Sequence, residues 1–300
     1  MYVIIGATGN TGKEITHALL DNNKPVKVIS RQLDHLKPFT ERGAIATVGN
    51  LEDTNFLKET FAGATAVYAL IPPRWDVTHW RNYQREIATS ITQALKEAQV
   101  KHVVVLSSNG AQLKEGAGPV SGLHEFEEML KQVEGLNMLS LRAGFFMQNF
   151  FGLMDMMKGM NAFGYSLNKD VKTPIVHTKD IAEVAVKHLL ALDFEGFEKV
   201  FVAGNADLTM EEVATTLGKA IGKPALKYIS FTPEEAKAGS LKAGIPATIA
   251  EGYNELFDAL NKGTYLNDYQ RTPENTTSTT LAWFAENEFA PAYQATMQNV

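Results

Sequence analysis

The sequence predicts an α/β protein, a Rossmann-type doubly wound parallel sheet with a smaller α-rich C-terminal lobe, and three observations carry that expectation. Five short β-branched runs alternate with helical patterns in the first 110 residues. The first run breaks into a glycine turn, Gly6-x-x-Gly9-x-x-Gly12, that opens a helix. From Leu208 onward the chain changes to capped helices around one further short strand.

Tyr2 to Ile5 are β-branched or aromatic and read as a buried strand, and the helix after the glycines has Ile15, Leu19 and Leu20 on its apolar face. A missing Cβ lets the backbone turn sharply and a phosphate approach, while the first helical amides point at its charge. Gly6, Thr8, Gly9, Asn10, Thr11 and Gly12 are therefore candidates to hold a pyrophosphate. Pro25 to Ile29 alternates as the second strand and ends in Ser30-Arg31-Gln32. At this strand end an acid accepts from an adenosine 2′-hydroxyl, whereas an arginine accommodates a 2′-phosphate. Arg31, with no acid before it, favours NADP(H) over NAD(H).

Ala44 to Val48 is the third strand, followed by Gly49-Asn50-Leu51-Glu52-Asp53 and a helix through Phe61. Ala66 to Ile71 is the fourth, closed by Pro72-Pro73, which cannot continue a ladder. Ligands bind at such C-terminal strand ends in doubly wound sheets. Arg74, Trp75, Asp76, His79, Trp80 and Arg81 then form a polar and aromatic loop that either lines that edge or caps the next helix, Tyr83 to Glu97. Val103 to Leu106 is the fifth strand and ends in Ser107-Ser108-Asn109-Gly110.

A helix over Gly122 to Val133 and a strand over Met138 to Arg142 lead into Ala143 to Phe151, then into a run holding Met154, Met156, Met157 and Met160 beside Phe163. Such methionines fill a core or pocket wall, or make a subunit contact. Asp180 is the first-turn acid of a helix to Leu192, and Lys199 to Ala203 returns as a strand. Thr209 with Glu212 and Thr232 with Glu235 are capping boxes, Leu226 to Phe231 is the strand between them, and Ile249 to Leu260 is a further helix. The expected division is a nucleotide-binding domain over 1–150, completed by 175–204, with a cap lobe from 151–174 and 205–300.

Composition narrows the function classes. The 300 residues are 45% hydrophobic, carry a net charge of −6 and contain no cysteine. Disulfides, thiol catalysis and thiolate metal sites are excluded, and no basic block offers a nucleic-acid surface. The histidines show no ligand spacing, so no metal site is expected. With no signal peptide before the first strand and no apolar run of spanning length, a soluble cytoplasmic protein free of membrane contact is expected.

GATGNTG at 6–12, SSNGA at 107–111, LRAGFFMQNF at 141–150, HTKDIAEVA at 177–185 and LTMEEVA at 208–214 together resemble the NmrA-like family of atypical short-chain dehydrogenase/reductases. That family holds NAD(P)H-dependent reductases, such as quinone oxidoreductases and triphenylmethane reductases, beside regulators that bind the dinucleotide without redox chemistry. The resemblance implies an NADPH-dependent reductase of a small quinone-, dye- or carbonyl-type acceptor, or else an NAD(P)-sensing regulator acting through protein partners. On the reductase reading Asn50 and Leu51 meet the adenine, Ile71, Pro72 and Ser107 the nicotinamide ribose, and Trp75, Phe145, Phe146, Met147 and Asn149 wall the acceptor pocket.

Ordinary members of the wider superfamily protonate a carbonyl with a Tyr-x-x-x-Lys pair that follows a serine on the fifth strand. Ser107 occupies the serine region, but no tyrosine follows on the helix, which also disfavours a sugar-nucleotide epimerase. The one literal match, Tyr165 with Lys169, lies beyond the sixth strand and reads as coincidence. The resemblance makes His124, near the start of that helix, the candidate acid or cofactor-positioning group. If Leu123 faces inward instead, the site has no proton donor of the familiar kind.

Overall fold

The computed structural model describes residues 1–297. Seven parallel strands form the central sheet: β1 (Tyr2–Ile4), β2 (Val26–Ser30), β3 (Ile45–Val48), β4 (Ala66–Ala69), β5 (His102–Ser108), β6 (Asn137–Ala143) and an outer strand Phe197–Val202. Their spatial order is β3-β2-β1-β4-β5-β6, with Phe197–Val202 beside β6. Ile4 pairs with Val28 on one side and Tyr68 on the other, so the strand order reverses between β1 and β4. A crevice opens at such a reversal because the connections leave β1 and β4 toward opposite faces.

Both faces of the sheet are buried, which explains why its strands read as nearly continuous apolar runs. Tyr2 and Ile4 pack with Ile15 and Leu19 of the first helix, α1 (Asn10–Asp21), and with Ile181 and Leu189 of the Thr178–Ala191 helix. Val3 and Ile5 face the other way, onto Phe61, Ile87, Ile91, Phe126 and Leu130 of the helices Thr54–Phe61, Trp80–Glu97 and Pro119–Lys131. A third apolar cluster gathers the C-terminal helices Met210–Ala220 and Ala247–Asn261 around Phe150, Phe163 and Phe284. Met154 and Met157 belong to this core, while Met160 is exposed.

Several boundaries differ from the sequence expectation. The fourth strand stops at Ala69, because the residues ahead of Pro72-Pro73 turn out of the ladder. The helix expected at Gly122 begins at Pro119, since Gly118 at φ +53° turns the chain where a Cβ would sit 1.8 Å from the Gly252 carbonyl oxygen. Phe145–Phe146, Thr173–Val176 and Ala206–Leu208 form a small sheet, and Ala162–Tyr165 pairs with Lys227–Ser230 in another. Except for the last, these strands were not legible, because runs of two to four residues carry too little periodicity.

Asp180 does more than complement a helix dipole. It is buried, and its carboxylate accepts the Thr279 amide at 3.2 Å together with the hydroxyls of Thr277 and Thr279. Arg271 adds donation to the carbonyls of Gly204 at 2.7 Å and Ala203 at 3.1 Å. The polar stretch 272–280 is thereby sewn to the sheet edge.

Candidate functional site

Two depressions lie along the C-terminal ends of the strands and meet at Pro72, Pro73, Arg74 and Tyr83. The smaller, about 220 Å³, runs from Gly6 and Thr8 past Arg31, Gln32 and His35 to Leu51 and Glu52. The larger, about 310 Å³, lies between β4, β5 and β6 on one side and the Ala247–Asn261 helix on the other.

The glycine corner is built by close approach. Gly6 adopts φ +72°, and a Cβ on Gly12 would lie 2.2 Å from the Gly6 carbonyl oxygen. Gly9 is different: a Cβ there would meet only that oxygen, at 3.3 Å, because its other side is open. Thr8, Gly9 and Asn10 are exposed, and the first intrahelical bond runs from the Lys13 amide to Gly9. The amides of Asn10, Thr11 and Gly12 therefore precede the helical ladder and need an outside acceptor. The buried Thr11 hydroxyl accepts from Tyr68 at 2.9 Å.

Arg31 is exposed at the end of β2. Opposite it, the Arg74 guanidinium is held by Asp76 at 3.2 Å and 3.3 Å, lies 3.8 Å from Glu52 and sits 5.3 Å above the Tyr83 ring. Leu51 lines this depression, but Asn50 points to solvent on the turn and does not.

The larger cleft is apolar and aromatic. Ile71, Pro72, Ser107, Trp75, Phe145, Phe146 and Asn149 all line it. Met147 does not: it is buried in the C-terminal core, on the far side of the turn that puts Phe145 and Phe146 into the cleft. The loop after Pro73 both lines the cleft and docks the C-terminal lobe, through Trp75 stacked on Tyr253 at 5.8 Å and the Trp80 indole donating to the Thr248 carbonyl at 2.8 Å.

On the Pro119–Lys131 helix, Leu123 faces the cleft and His124 does not. A helix places neighbours 100° apart, and starting at Pro119 sets this register. His124 Nδ1 lies 2.8 Å from the Ala111 carbonyl oxygen. Tyr165 packs with Phe145 and Phe257 while Lys169 is exposed, so the literal Tyr-x-x-x-Lys forms no pair.

Ser107 has a partner that the sequence did not reveal. Its hydroxyl donates to the buried Glu127 carboxylate at 2.7 Å, which also accepts Ser140 at 2.5 Å and Arg142 at 2.8 Å. Arg142 reaches Asp268 at 2.8 Å, and Lys199 closes the chain at 2.7 Å. This ion-pair network lies beneath the cleft floor.

Sequence reasoning also missed Asn109, Tyr253 and Tyr265 as cleft residues. Asn109 lies in the SSNGA run at 107–111, but nothing local associates it with Tyr265, which approaches from the C-terminal lobe to place its hydroxyl 2.9 Å from Ser108 Oγ. Burial pushes the Tyr83 and Tyr253 hydroxyls up to about 12, and it also raises Tyr265 against the opposing hydrogen bond from Ser108. All three face the cleft as neutral hydroxyls at neutral pH. Arg74 is the one formally charged residue among those lining it. Among the described residues no group of three or more His, Asp or Glu is placed to hold a metal ion, and no helix is long and apolar enough to cross a membrane.

A parallel sheet with the 3-2-1-4-5-6 order, a glycine corner at the reversal and a cleft under a helical C-terminal region define a Rossmann-type α/β protein. The model of the NmrA-like family matches residues 2–290, and the chain belongs to that family. It is 28% identical over 295 residues to an NAD(P)H azoreductase of Xenophilus azovorans, covering 98% of both chains. Among solved structures, an NADPH-dependent quinone oxidoreductase of Escherichia coli in complex with NADPH superimposes with a TM-score of 0.81 at 21% identity, over 96% of this chain and 100% of that one. The negative transcriptional regulator NmrA in complex with NADP gives 0.75 at 13% identity, over 98% and 97%. The fold thus accommodates both chemistry and regulation.

Proposed function

We propose that this protein is an NADPH-dependent reductase of a small planar acceptor. The observation that carries the reading is the junction of the two depressions: a phosphate-accepting glycine corner opens directly into an aromatic cleft with one formal charge at its mouth. The residues fit a dinucleotide. Gly12 can carry no Cβ, Gly9 leaves its outer side open, and three unladdered amides face the place where a pyrophosphate would sit. Arg31 supplies the cation for a 2′-phosphate, Leu51 covers the adenine side, and Ile71, Pro72 and Ser107 border the nicotinamide ribose. The azoreductase relative and the NADPH-bound neighbour support both the cofactor class and the reaction class.

When bound, the reduced nicotinamide supplies a hydride; the protein's part is to hold the acceptor flat against it and keep water out. Phe145, Phe146 and Trp75 provide the flat walls. Proton donation by His124 is not part of this reading, because Leu123 takes the inward position. A quinone or a cationic dye needs no strong protein acid: the anion that a quinone forms on taking hydride is stable enough to take a proton from water, and a cationic dye becomes neutral and needs none.

The test is a titration with NADPH and NADH, followed by quinone, azo and cationic dye acceptors while the absorbance of the reduced nicotinamide is watched. Acceptor-dependent oxidation supports the reductase. Tight binding with no oxidation across the panel sinks it in favour of a dinucleotide-sensing regulator, which must then show a protein partner whose capture depends on the cofactor state.

Arg31→Ala tests the cofactor preference. Loss of a charge-assisted phosphate contact of about 1.5–3 kcal/mol weakens NADPH roughly ten- to hundredfold and leaves NADH within about twofold. Equal losses for both would make Arg31 a structural residue.

A further inference from the structure

Resting on the reductase reading, and naming its substrate chemistry, we infer that Asn109 is the acceptor-selecting residue, whose side-chain amide takes one oxygen or azo nitrogen of an uncharged aromatic acceptor. Asn109 lines the larger cleft at 1% exposure, and both its Nδ2 and its Oδ1 are buried without a hydrogen-bond partner. An amide buried with neither group satisfied loses its hydration and regains nothing for it. Folded proteins keep such a group where something outside the chain satisfies it.

The surroundings narrow what that ligand is. The cleft that Asn109 lines is walled by apolar and aromatic residues, with Arg74 its one formally charged lining residue, so a charged ligand group placed against the amide would be desolvated at a cost. A neutral conjugated acceptor with one hydrogen-bonding atom matches both the walls and the amide. The backbone that carries it is held in place. The Asn109 backbone N–H donates to the Ala143 carbonyl at 3.0 Å, and the Tyr265 ring packs so closely on the next residue that a Cβ on Gly110 would be 2.4 Å away. Gln112 Nε2 donates to the Tyr265 carbonyl at 3.1 Å, tying the loop to the lobe a second time.

In the reaction the acceptor takes up a hydride at one atom of its conjugated system. The displaced π electrons move to the oxygen or nitrogen held by Asn109, and that atom takes a proton from water as the reduced product leaves the cleft. Asn109 Nδ2 donates to the atom on which negative charge develops, so its contribution grows as the hydride arrives. The neutral Tyr265–Ser108 hydroxyl pair backs it without adding charge.

The experiment is equilibrium dialysis of menadione and of 2-methylnaphthalene, which has the same fused carbon skeleton without the two oxygens, with and without NADP⁺. The chain has no cysteine for menadione to alkylate. The wild type is expected to bind menadione at least tenfold more tightly than the hydrocarbon. Asn109→Leu, close in volume, is expected to bring that ratio near one while keeping NADP⁺ affinity and hydrocarbon binding. Should Asn109→Leu fail to fold, Asn109→Ser, shorter and still polar, is expected to reduce the ratio at least threefold. An unchanged ratio in the folded variant, a wild-type ratio near one, or a parallel fall in NADP⁺ affinity overturns the assignment. Failure of the reductase reading is seen separately, as absent NADP⁺ binding or absent turnover, because the oxygen preference is read at equilibrium and without NADP⁺ as well.

Discussion

A Gly12→Ala protein is expected to lose NADPH binding by at least a hundredfold and to unfold at clearly lower urea concentration than the wild type, whereas Gly9→Ala is expected to keep its stability and lose only affinity. The two glycines are three residues apart in one motif, yet their surroundings differ. The Gly12 Cβ would lie 2.2 Å from the Gly6 carbonyl oxygen, 2.6 Å from its carbonyl carbon and 3.0 Å from Ala7 Cα, all backbone atoms that move only with the turn itself. Overpacking of this kind costs about 1–3 kcal/mol, and shifting the turn displaces the three free amides together. The Gly9 Cβ meets one atom at 3.3 Å and otherwise projects into open space. There a methyl group stands where a pyrophosphate must approach, and a roughly tenfold loss, about 1.4 kcal/mol, is expected. NADPH titration with urea unfolding of both variants checks this. Equal affinity losses with equal stability losses would mean that both glycines serve the turn alone.

Glu127→Ala is expected to destabilise the protein by about 3–5 kcal/mol. Glu127 is 1% exposed, and its removal leaves Arg142, at 4% exposure, with Asp268 as its one carboxylate partner and strips the acceptor from Ser107 and Ser140. The loss is expected as a lower urea midpoint at unchanged slope. Replacing both members by apolar residues, Glu127→Leu with Arg142→Met, is expected to recover much of the loss, because no buried charge is then left uncompensated. A single variant within about 1 kcal/mol of wild type would show that water reaches the guanidinium. Since Ser107 borders the cleft while its hydroxyl is held by Glu127, the same variants report how far that network fixes the cleft floor: NADPH affinity in the double variant is expected to stay within about threefold, well under the tenfold that 1.4 kcal/mol represents.

The sheet and its glycine corner were legible because their signals are local. Each strand is a run of β-branched residues, each turn is punctuated by glycine or proline, and the glycine corner is formed by residues within one short stretch. Arg31, Ile71 and Pro72 lie at an edge that topology sets, since the C-terminal ends of parallel strands share it, whereas Phe145 was singled out through the family resemblance. His124 could not be placed by either. One residue of helical register, set by a glycine that must pass under Gly252 of a distant helix, gave the inward position to Leu123.

The sequence by itself determined the doubly wound fold, the glycine corner, the arginine at the second strand end and the absence of a tyrosine–lysine pair at the cleft. The tertiary structure alone decided which polar groups find partners around the larger cleft. Glu127 meets Arg142, Ser108 meets Tyr265 and Asn109 is left with its amide unpaired through contacts between residues up to 157 positions apart. Period and propensity report only on neighbours along the chain; which buried polar groups find partners depends on how the lobe closes over the sheet.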